Sequence, residues 1–136
     1  MKITNAKVFI DGRFQDVEVR FNNEEILEIG KDLKDDEVID ANGQYLYAGI
    51  IDPHIHGGFL RSFTASAGRH FSVTDYGTPE EQIRYICNEV TKQGVTSIMP
   101  TYGDYTVEQY QEIIRLIRKV RKDVQGADPF KIHLEG

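Results

Sequence analysis

The first 47 residues alternate between apolar and polar side chains in short runs. Val17, Val19 and Phe21 alternate with charged residues, and this period of two is typical of a strand with one buried face. Asp-Gly at 11–12 and Asn-Gly at 42–43 are the residue pairs that tight turns between strands require. The pattern therefore predicts an all-β segment, with strands at 2–10, 14–21, 25–29, 38–40 and 45–47.

From Gly49 onward the pattern predicts alternating strands and helices. The run that begins at Ile50-Ile51 lacks solvent-facing alternation and is typical of a strand covered on both faces. "VTSIMP" at 95–100 is a second buried strand, and "FKIHLEG" at 130–136 is a third. The Gly/Ser/Thr-rich residues 57–77 predict a long loop. Because strands and helices alternate, we expect a parallel sheet with right-handed crossovers.

Two amphipathic helices are predicted between these strands. Each begins with a threonine that can cap the helix and has Glu or Gln three positions later, which is the arrangement of a capping box. The pairs are Thr78 with Glu81 and Thr106 with Gln109. Apolar residues follow at helical spacing and predict a buried face, and Cys87 on this face is expected to be a core residue rather than a nucleophile. We expect Gly94 and Gly126 to end the helices.

Composition narrows the class of protein. The chain has 16 Lys and Arg against 22 Asp and Glu, a net charge of −6, and it lacks the basic patch of a nucleic-acid-binding protein. A single cysteine excludes an internal disulfide and suits a reducing compartment. No apolar stretch approaches the roughly 18 residues of a membrane span, and the N-terminus lacks a signal-peptide pattern. We therefore expect a soluble, cytoplasmic protein with no nucleic-acid partner and no membrane partner.

The stretch "IIDPHIHGG" places His54 and His56 where a buried strand ends. Residues two positions apart on a strand point to the same face, and the carboxyl ends of parallel barrel strands hold the active site. Such a pair can bind one divalent cation and leave coordination positions for water and a carboxylate. A lone histidine would more often donate a structural hydrogen bond, but two at this spacing favour a metal site.

Two carboxylates extend this candidate site. Glu135 ends the third strand, on the same face as His133. Taken alone it could be a solvated chain end, but strands of one barrel contribute to the same mouth, which favours a metal ligand. Asp52 is expected to support the site by accepting hydrogen bonds from nearby backbone or histidine N–H groups. Such ligands accept Zn, Fe, Mn or Co with modest discrimination.

Three parallel strands and two helices are too few to close an α/β sheet. A complete eight-unit barrel takes about 250 residues, whereas this chain has 136. We therefore expect the N-terminal portion of a larger enzyme, truncated after its third strand. An open parallel edge invites pairing with another chain, so we expect a homo-oligomer.

Three stretches of the chain resemble the amidohydrolase superfamily and, within it, the N-acetylglucosamine-6-phosphate deacetylases. They are "VIDANGQYLYAGIIDPHIHGG", "GVTSIMPT" and "HLEG". The first resembles the entry into the barrel of many amidohydrolases, and the last is short but more specific for the deacetylases. Two features depart from the family: Ala48 stands where proline is usual, and the residues after Gly58 do not follow the usual loop.

The resemblance implies an α/β fold with two parts. Residues 1–48 would form a small β-sandwich segment, and 49–136 the first three strands and two helices of a metal-dependent (β/α)8 hydrolase barrel. His54 and His56 would bind the more buried metal, and Glu135 would contribute a carboxylate to one or two divalent ions, with Zn or Fe expected.

The resemblance also implies a reaction. The complete enzyme would deacetylate N-acetylglucosamine 6-phosphate, an amino-sugar phosphate, to glucosamine 6-phosphate and acetate. The general acid would lie beyond Gly136, so this chain would be inactive by itself. Two alternatives stay open. One is another amidohydrolase acting on a cyclic amide, as dihydroorotases and hydantoinases do, and the other is a non-catalytic fragment that associates through its open sheet edge.

Overall fold

The computed structural model describes residues 1–63 and 76–135. The chain divides into two compact units, Met1–Ala48 and Gly49–Gly136. Each unit has its own cluster of buried apolar side chains. Of the loop predicted at 57–77, residues 64–75 lie outside the described residues. Within the described ranges, no helix has both the length and the apolar character needed to cross a membrane.

The first unit is a five-stranded sheet. Its strands are β1 (Lys2–Ile10), β2 (Arg13–Phe21), β3 (Ile26–Gly30), β4 (Val38–Asp40) and β5 (Tyr45–Leu46). β1 and β2 pair antiparallel, as do β2 and β3, whereas β4 and β5 each pair with β1 in parallel. Asp11 and Gly12 have φ angles of 52° and 76°, which a type I′ hairpin turn requires at both positions. The prediction of an all-β segment is therefore confirmed.

The core of this sheet is small. Ala6, Val8 and Val19 are buried, whereas other apolar side chains of the same strands are exposed, among them Ile26 at 62% and Tyr45 at 64%. An apolar sheet face is stabilised when a second layer packs on it. The described residues of this unit form one sheet, and the second sheet of the expected β-sandwich stays a prediction.

The second unit is built on a parallel sheet with β9 at its centre. Its elements are β6 (Ile50–Ile55), β7 (Gly57–Gly58), β8 (Arg61–Ser62), α1 (Pro79–Thr91), β9 (Val95–Gly103), α2 (Val107–Arg121), β10 (Asp128–Pro129) and β11 (His133–Glu135). Ser97 and Ile98 of β9 pair with β6 and also with β10, and β11 pairs with the carboxyl end of β9. These pairings are parallel, as predicted. Of the third strand predicted at 130–136, the structure has His133–Glu135 as β11, and the short strand β10 lies just before the predicted run.

Both helices begin as the capping residues predict. In each, the threonine side chain accepts a hydrogen bond from the third helical N–H, and the side-chain oxygen of the Glu or Gln at that position accepts one from the threonine's own N–H. The helices end earlier than the glycines suggested, at Thr91 and Arg121, because the residues that follow form turns. Gly94 still has a positive φ of 86°, the conformation that favours glycine after a helix.

The core of the second unit lies between the helices and β9. Its fully buried apolar side chains include Ile83, Ile86, Ile98, Tyr102 and Val120. Cys87 is completely buried among them, and this burial raises the pKa of its thiol to about 12. A thiol in that environment stays protonated near neutral pH, so Cys87 is a core residue, as predicted.

One expectation about burial is wrong. Ile50 and Ile51 were expected on a strand covered on both faces, but their exposed fractions are 46% and 59%. Among the described residues, β6 has a strand partner on one side only, which is β9. A parallel strand is fully buried only when strands flank it and layers cover it, and β6 is an edge strand here.

Gly126 provides a test of the packing between α1 and the segment after α2. A Cβ at this position would lie 2.3 Å from the carbonyl oxygen of Cys87, which also accepts a hydrogen bond from the N–H of Ala127 at 3.0 Å. We expect Gly126→Ala to lower the free energy of unfolding by about 1–3 kcal/mol, since backbone atoms must move apart. Urea denaturation measures this change.

The matched control is Gly58→Ala. A Cβ at Gly58 meets no atom within 4 Å, so this variant should unfold at nearly the urea concentration of the unaltered protein. Equal stability of the two variants would contradict the close approach at Gly126.

Candidate metal centre

Three predicted site residues meet at the carboxyl end of the parallel sheet. His54 belongs to β6, His56 follows that strand, and Glu135 ends β11. The Nε2 atoms of the two histidines lie 3.1 Å apart. Glu135 places Oε1 at 3.5 Å from Nε2 of His54 and Oε2 at 3.1 Å from Nε2 of His56. One ligand atom from each residue lies within 4.8 Å of the others, so residues about 80 positions apart in sequence share one small site.

The separations between these atoms fit a shared cation. Two ligand atoms bound to one ion at about 2.0–2.1 Å with tetrahedral angles lie roughly 3.3–3.4 Å apart. The measured separations of 3.1–3.5 Å are close to that value. Two imidazole nitrogens and a carboxylate are ligands that Zn and Fe accept. The side chains are 44–54% exposed, so an ion could reach them from solvent.

β6 carries a bulge between Asp52 and Ile55, the segment that contains His54. Asp52 pairs with Ile98 and Ile55 pairs with Pro100, so three steps along β6 match two steps along β9. One extra residue in a strand bends it and redirects its side chains. Pro53 lies inside the bulge. Because proline has no N–H, its position leaves no backbone donor of the strand without a partner. The bulge therefore influences the direction in which the histidine side chains leave the strand.

Side chains satisfy the backbone donors of this bulge. The N–H of His54 donates to Asp52 Oδ1 at 3.1 Å, and the N–H of Ile55 donates to Thr101 Oγ1 at 3.0 Å. The Thr101 hydroxyl in turn donates to the carbonyl of Met99 at 3.2 Å, and Thr101 is completely buried. Asp52 thus accepts from backbone, one of the two partner types expected for it, and a supporting role at the site stays a prediction.

A short hairpin fixes the backbone of His56 from the other side. The carbonyl of His56 accepts hydrogen bonds from the Ser62 hydroxyl at 3.3 Å and from the N–H of Phe63 at 3.1 Å. The guanidinium carbon of Arg61 lies 3.4 Å from the centre of the Tyr85 ring on α1, a cation–π contact. This contact attaches the hairpin formed by β7 and β8 to the helix layer. The long loop predicted from residue 57 therefore begins as ordered structure.

His133 is close to the site but outside the group of converging ligand atoms. Its Nδ1 lies 2.8 Å from the carbonyl oxygen of Pro53. Its ring centroid is 4.5 Å from that of His54, with an angle of 36° between the ring planes. The prediction that His133 and Glu135 share a face agrees with these contacts, since both side chains reach toward β6.

Sequence reasoning missed two contributors to this arrangement. For the carbonyl of Pro53 the sequence holds a signal, because a proline within a predicted strand indicates a bulge or an edge strand. The Thr101 hydroxyl has no such signal. Its role depends on the pairing of β9 with β6, which local sequence does not specify.

Comparison with known sequences gives a short list of relatives. No protein-family model matches the chain. A dihydroorotase from Lactobacillus johnsonii is 26% identical over 133 residues, covering 82% of this chain and 30% of that protein. A dihydroorotase from Lactobacillus helveticus is 39% identical over 54 residues, covering 40% of this chain and 13% of that protein. The chain thus spans less than a third of the length of these curated relatives.

Several solved structures align with nearly the whole chain. The N-acetylglucosamine-6-phosphate deacetylase from Pasteurella multocida aligns with a TM-score of 0.69 at 20% identity, covering 99% of this chain and 34% of that one. The deacetylase from Thermotoga maritima gives 0.69 at 21% identity, with 100% and 32% covered. A D-hydantoinase gives 0.55 at 20% identity, with 88% and 24% covered.

These likenesses concern the fold. The described residues have the mixed α/β arrangement found in part of these deacetylases and of the D-hydantoinase. The resemblance to N-acetylglucosamine-6-phosphate deacetylases, predicted from the motifs, is confirmed as a likeness of fold over the chain. At these identities the match concerns architecture, and chemistry has to be argued from the site.

Thr101 offers a test of how the bulge is held. In Thr101→Val, the N–H of Ile55 loses its acceptor inside the protein, so we expect a loss of about 1–3 kcal/mol in the free energy of unfolding. We also expect the imidazole resonances of His54 and His56 to shift in NMR spectra, because the strand end that carries them is released.

Thr91→Val makes the same chemical change elsewhere. The Thr91 hydroxyl donates to the carbonyl of Cys87 at 2.9 Å at an exposed position of α1. We expect this control to leave both histidine resonances in place. Unshifted resonances in Thr101→Val would show that the hydroxyl does not hold the site.

Proposed function

We propose that the chain is the N-terminal portion of a metal-dependent amidohydrolase. Residues 1–48 would be its β-sandwich segment, and 49–136 the first three strands and two helices of a (β/α)8 barrel. The observation that carries the proposal is the convergence of His54, His56 and Glu135 at the carboxyl ends of parallel strands, where barrel enzymes hold their active sites. The exposed edge of β6 also supports it, because a closed barrel would cover that edge with another strand.

The three side chains have distinct roles in this proposal. His54 and His56 would bind a divalent cation, Zn or Fe, through Nε2, and Glu135 would add its carboxylate. When bound, the cation lowers the pKa of water toward neutrality and polarises the amide carbonyl. Because each oxygen of Glu135 faces a different histidine, the carboxylate can serve one ion or two. Asp52 and Thr101 would hold the strand that carries the histidines.

The proposed reaction is hydrolysis of a linear amide. The substrate would be N-acetylglucosamine 6-phosphate, an amino-sugar phosphate, and the products glucosamine 6-phosphate and acetate. The "HLEG" motif and the fold likeness to two deacetylases over the whole chain support this choice. Glu135 supports it further, because the resemblance places a metal-binding carboxylate at the end of the third strand.

A second candidate is an amidohydrolase that opens a cyclic amide. The sequence relatives support it, since those named above are dihydroorotases. Many such enzymes bridge their metals with a modified lysine from a later strand, and the position of Glu135 between the two histidines favours the deacetylase instead. A third candidate is a fragment that associates through an open sheet edge, either that of β6, where Ile51 is 59% exposed, or that of β11, where Leu134 is 60% exposed.

Metal binding tests the site directly. We expect the protein to bind Zn²⁺ or Co²⁺ in competition with a chromophoric chelator, and binding should raise the midpoint of thermal unfolding, since a ligand at 100 times its Kd adds about 2.7 kcal/mol. Glu135→Gln should weaken binding at least tenfold, because the anionic ligand is lost. Glu112→Gln changes an exposed glutamate on α2 and should bind like the unaltered protein. Equal affinity of the two variants would refute the site.

The reaction is tested by assaying amide hydrolysis. We expect the 136 residues with Zn²⁺, Fe²⁺ or Mn²⁺ to release no acetate from N-acetylglucosamine 6-phosphate, because they supply at most three metal ligands and no assigned general acid. Parallel assays with dihydroorotate test the cyclic-amide candidate. Acetate release by this chain would show that its catalytic set is complete, and ring opening of dihydroorotate would favour the second candidate.

A further inference from the structure

His133 links the two strands that carry the proposed metal ligands. It pairs with Thr101 of β9 through the backbone of β11, and its side chain reaches past β9 to the carbonyl of Pro53 on β6, at 2.8 Å from Nδ1. Because β9 lies between β6 and β11 in the sheet, this contact crosses the central strand. It joins residues 80 positions apart.

The chemistry of this contact determines which atom is the donor. A carbonyl oxygen only accepts, so Nδ1 of His133 must carry the proton and donate. The carbonyl belongs to Pro53, the bulge residue that precedes His54. The ring centroids of His133 and His54 also lie 4.5 Å apart, so the same side chain is close both to the bulge and to His54.

We propose that His133 is a positioning residue for the metal centre. Its Nδ1–H holds the carbonyl of Pro53, which fixes the bulge from which His54 extends, so that Nε2 of His54 stays within reach of Glu135. The inference rests on the metal site proposed above. His133 itself does not bind the cation, because its ring nitrogens lie outside the converging group.

Two substitutions separate the hydrogen bond from the ring. His133→Phe keeps an aromatic ring of similar size and removes the donor. His133→Asn keeps an N–H donor near the position of Nδ1 and removes the ring. Leu134→Ala is the matched control, since Leu134 is the neighbouring residue on β11 and is 60% exposed.

The readouts are the dissociation constant for Co²⁺ and the visible absorption bands of the bound ion, which report its coordination geometry. We expect His133→Phe to weaken Co²⁺ binding about 10- to 100-fold, the range found when side chains behind metal ligands are removed, and to alter the bands. His133→Asn should stay within about threefold of the unaltered protein. Leu134→Ala should leave affinity and bands unchanged.

The outcomes are distinct. If His133→Phe folds by circular dichroism and binds Co²⁺ within twofold of the unaltered protein, the assignment is wrong. If His133→Phe does not fold, His133→Asn decides, and a loss above tenfold in that variant overturns the assignment. If the unaltered protein binds no Co²⁺, the proposed metal function fails and the role of His133 fails with it. Strong binding by the unaltered protein together with an unaffected His133→Phe variant removes the positioning role alone.

Discussion

The candidate site depends on the parallel pairing that holds β6 and β11 along β9. Parallel strands bring their carboxyl ends to one edge of a sheet, so side chains that follow them in sequence meet in space. His54 and Glu135 are far apart in the chain, yet their polar atoms lie 3.5 Å apart. If either strand paired out of register by one residue, its side chains would turn to the opposite face, and the three ligand atoms would separate.

The strand pairing alone does not determine the orientation of the histidine side chains, because β6 has a bulge between Asp52 and Ile55. The bulge interrupts the ladder, and the side chains of Asp52 and Thr101 accept the N–H groups that the ladder leaves. The N–H of Ile55 is partly buried, and a buried donor without an acceptor would cost about 1–3 kcal/mol, so the Thr101 hydroxyl helps to keep the bent conformation. Local polar contacts, rather than apolar packing, thus determine where the exposed imidazoles lie.

The site is therefore a rigid backbone that presents exposed polar groups. The apolar core of the second unit lies on the helix side of β9, with Ile98 and Tyr102 fully buried, and it anchors the strand to which both ligand-bearing strands pair. The carboxyl end is open to solvent instead. This division suits the cation and the polar amide substrate proposed above. Likeness of fold to deacetylases and to a hydantoinase leaves the substrate to be decided by the residues around the site.

The sequence by itself determined the local elements and the residue types of the candidate site. Thr78 and Thr106 specified both helix starts through their capping boxes, and the spacing of His54 and His56 predicted a metal pair, because these signals act within a few residues. Tertiary structure decided the exposure of Ile50 and Ile51, the shorter extent of the third strand and the contacts of Thr101 and Pro53. Each depends on which strand lies beside which and at what register, and such pairing is set by contacts between distant segments that no local pattern encodes.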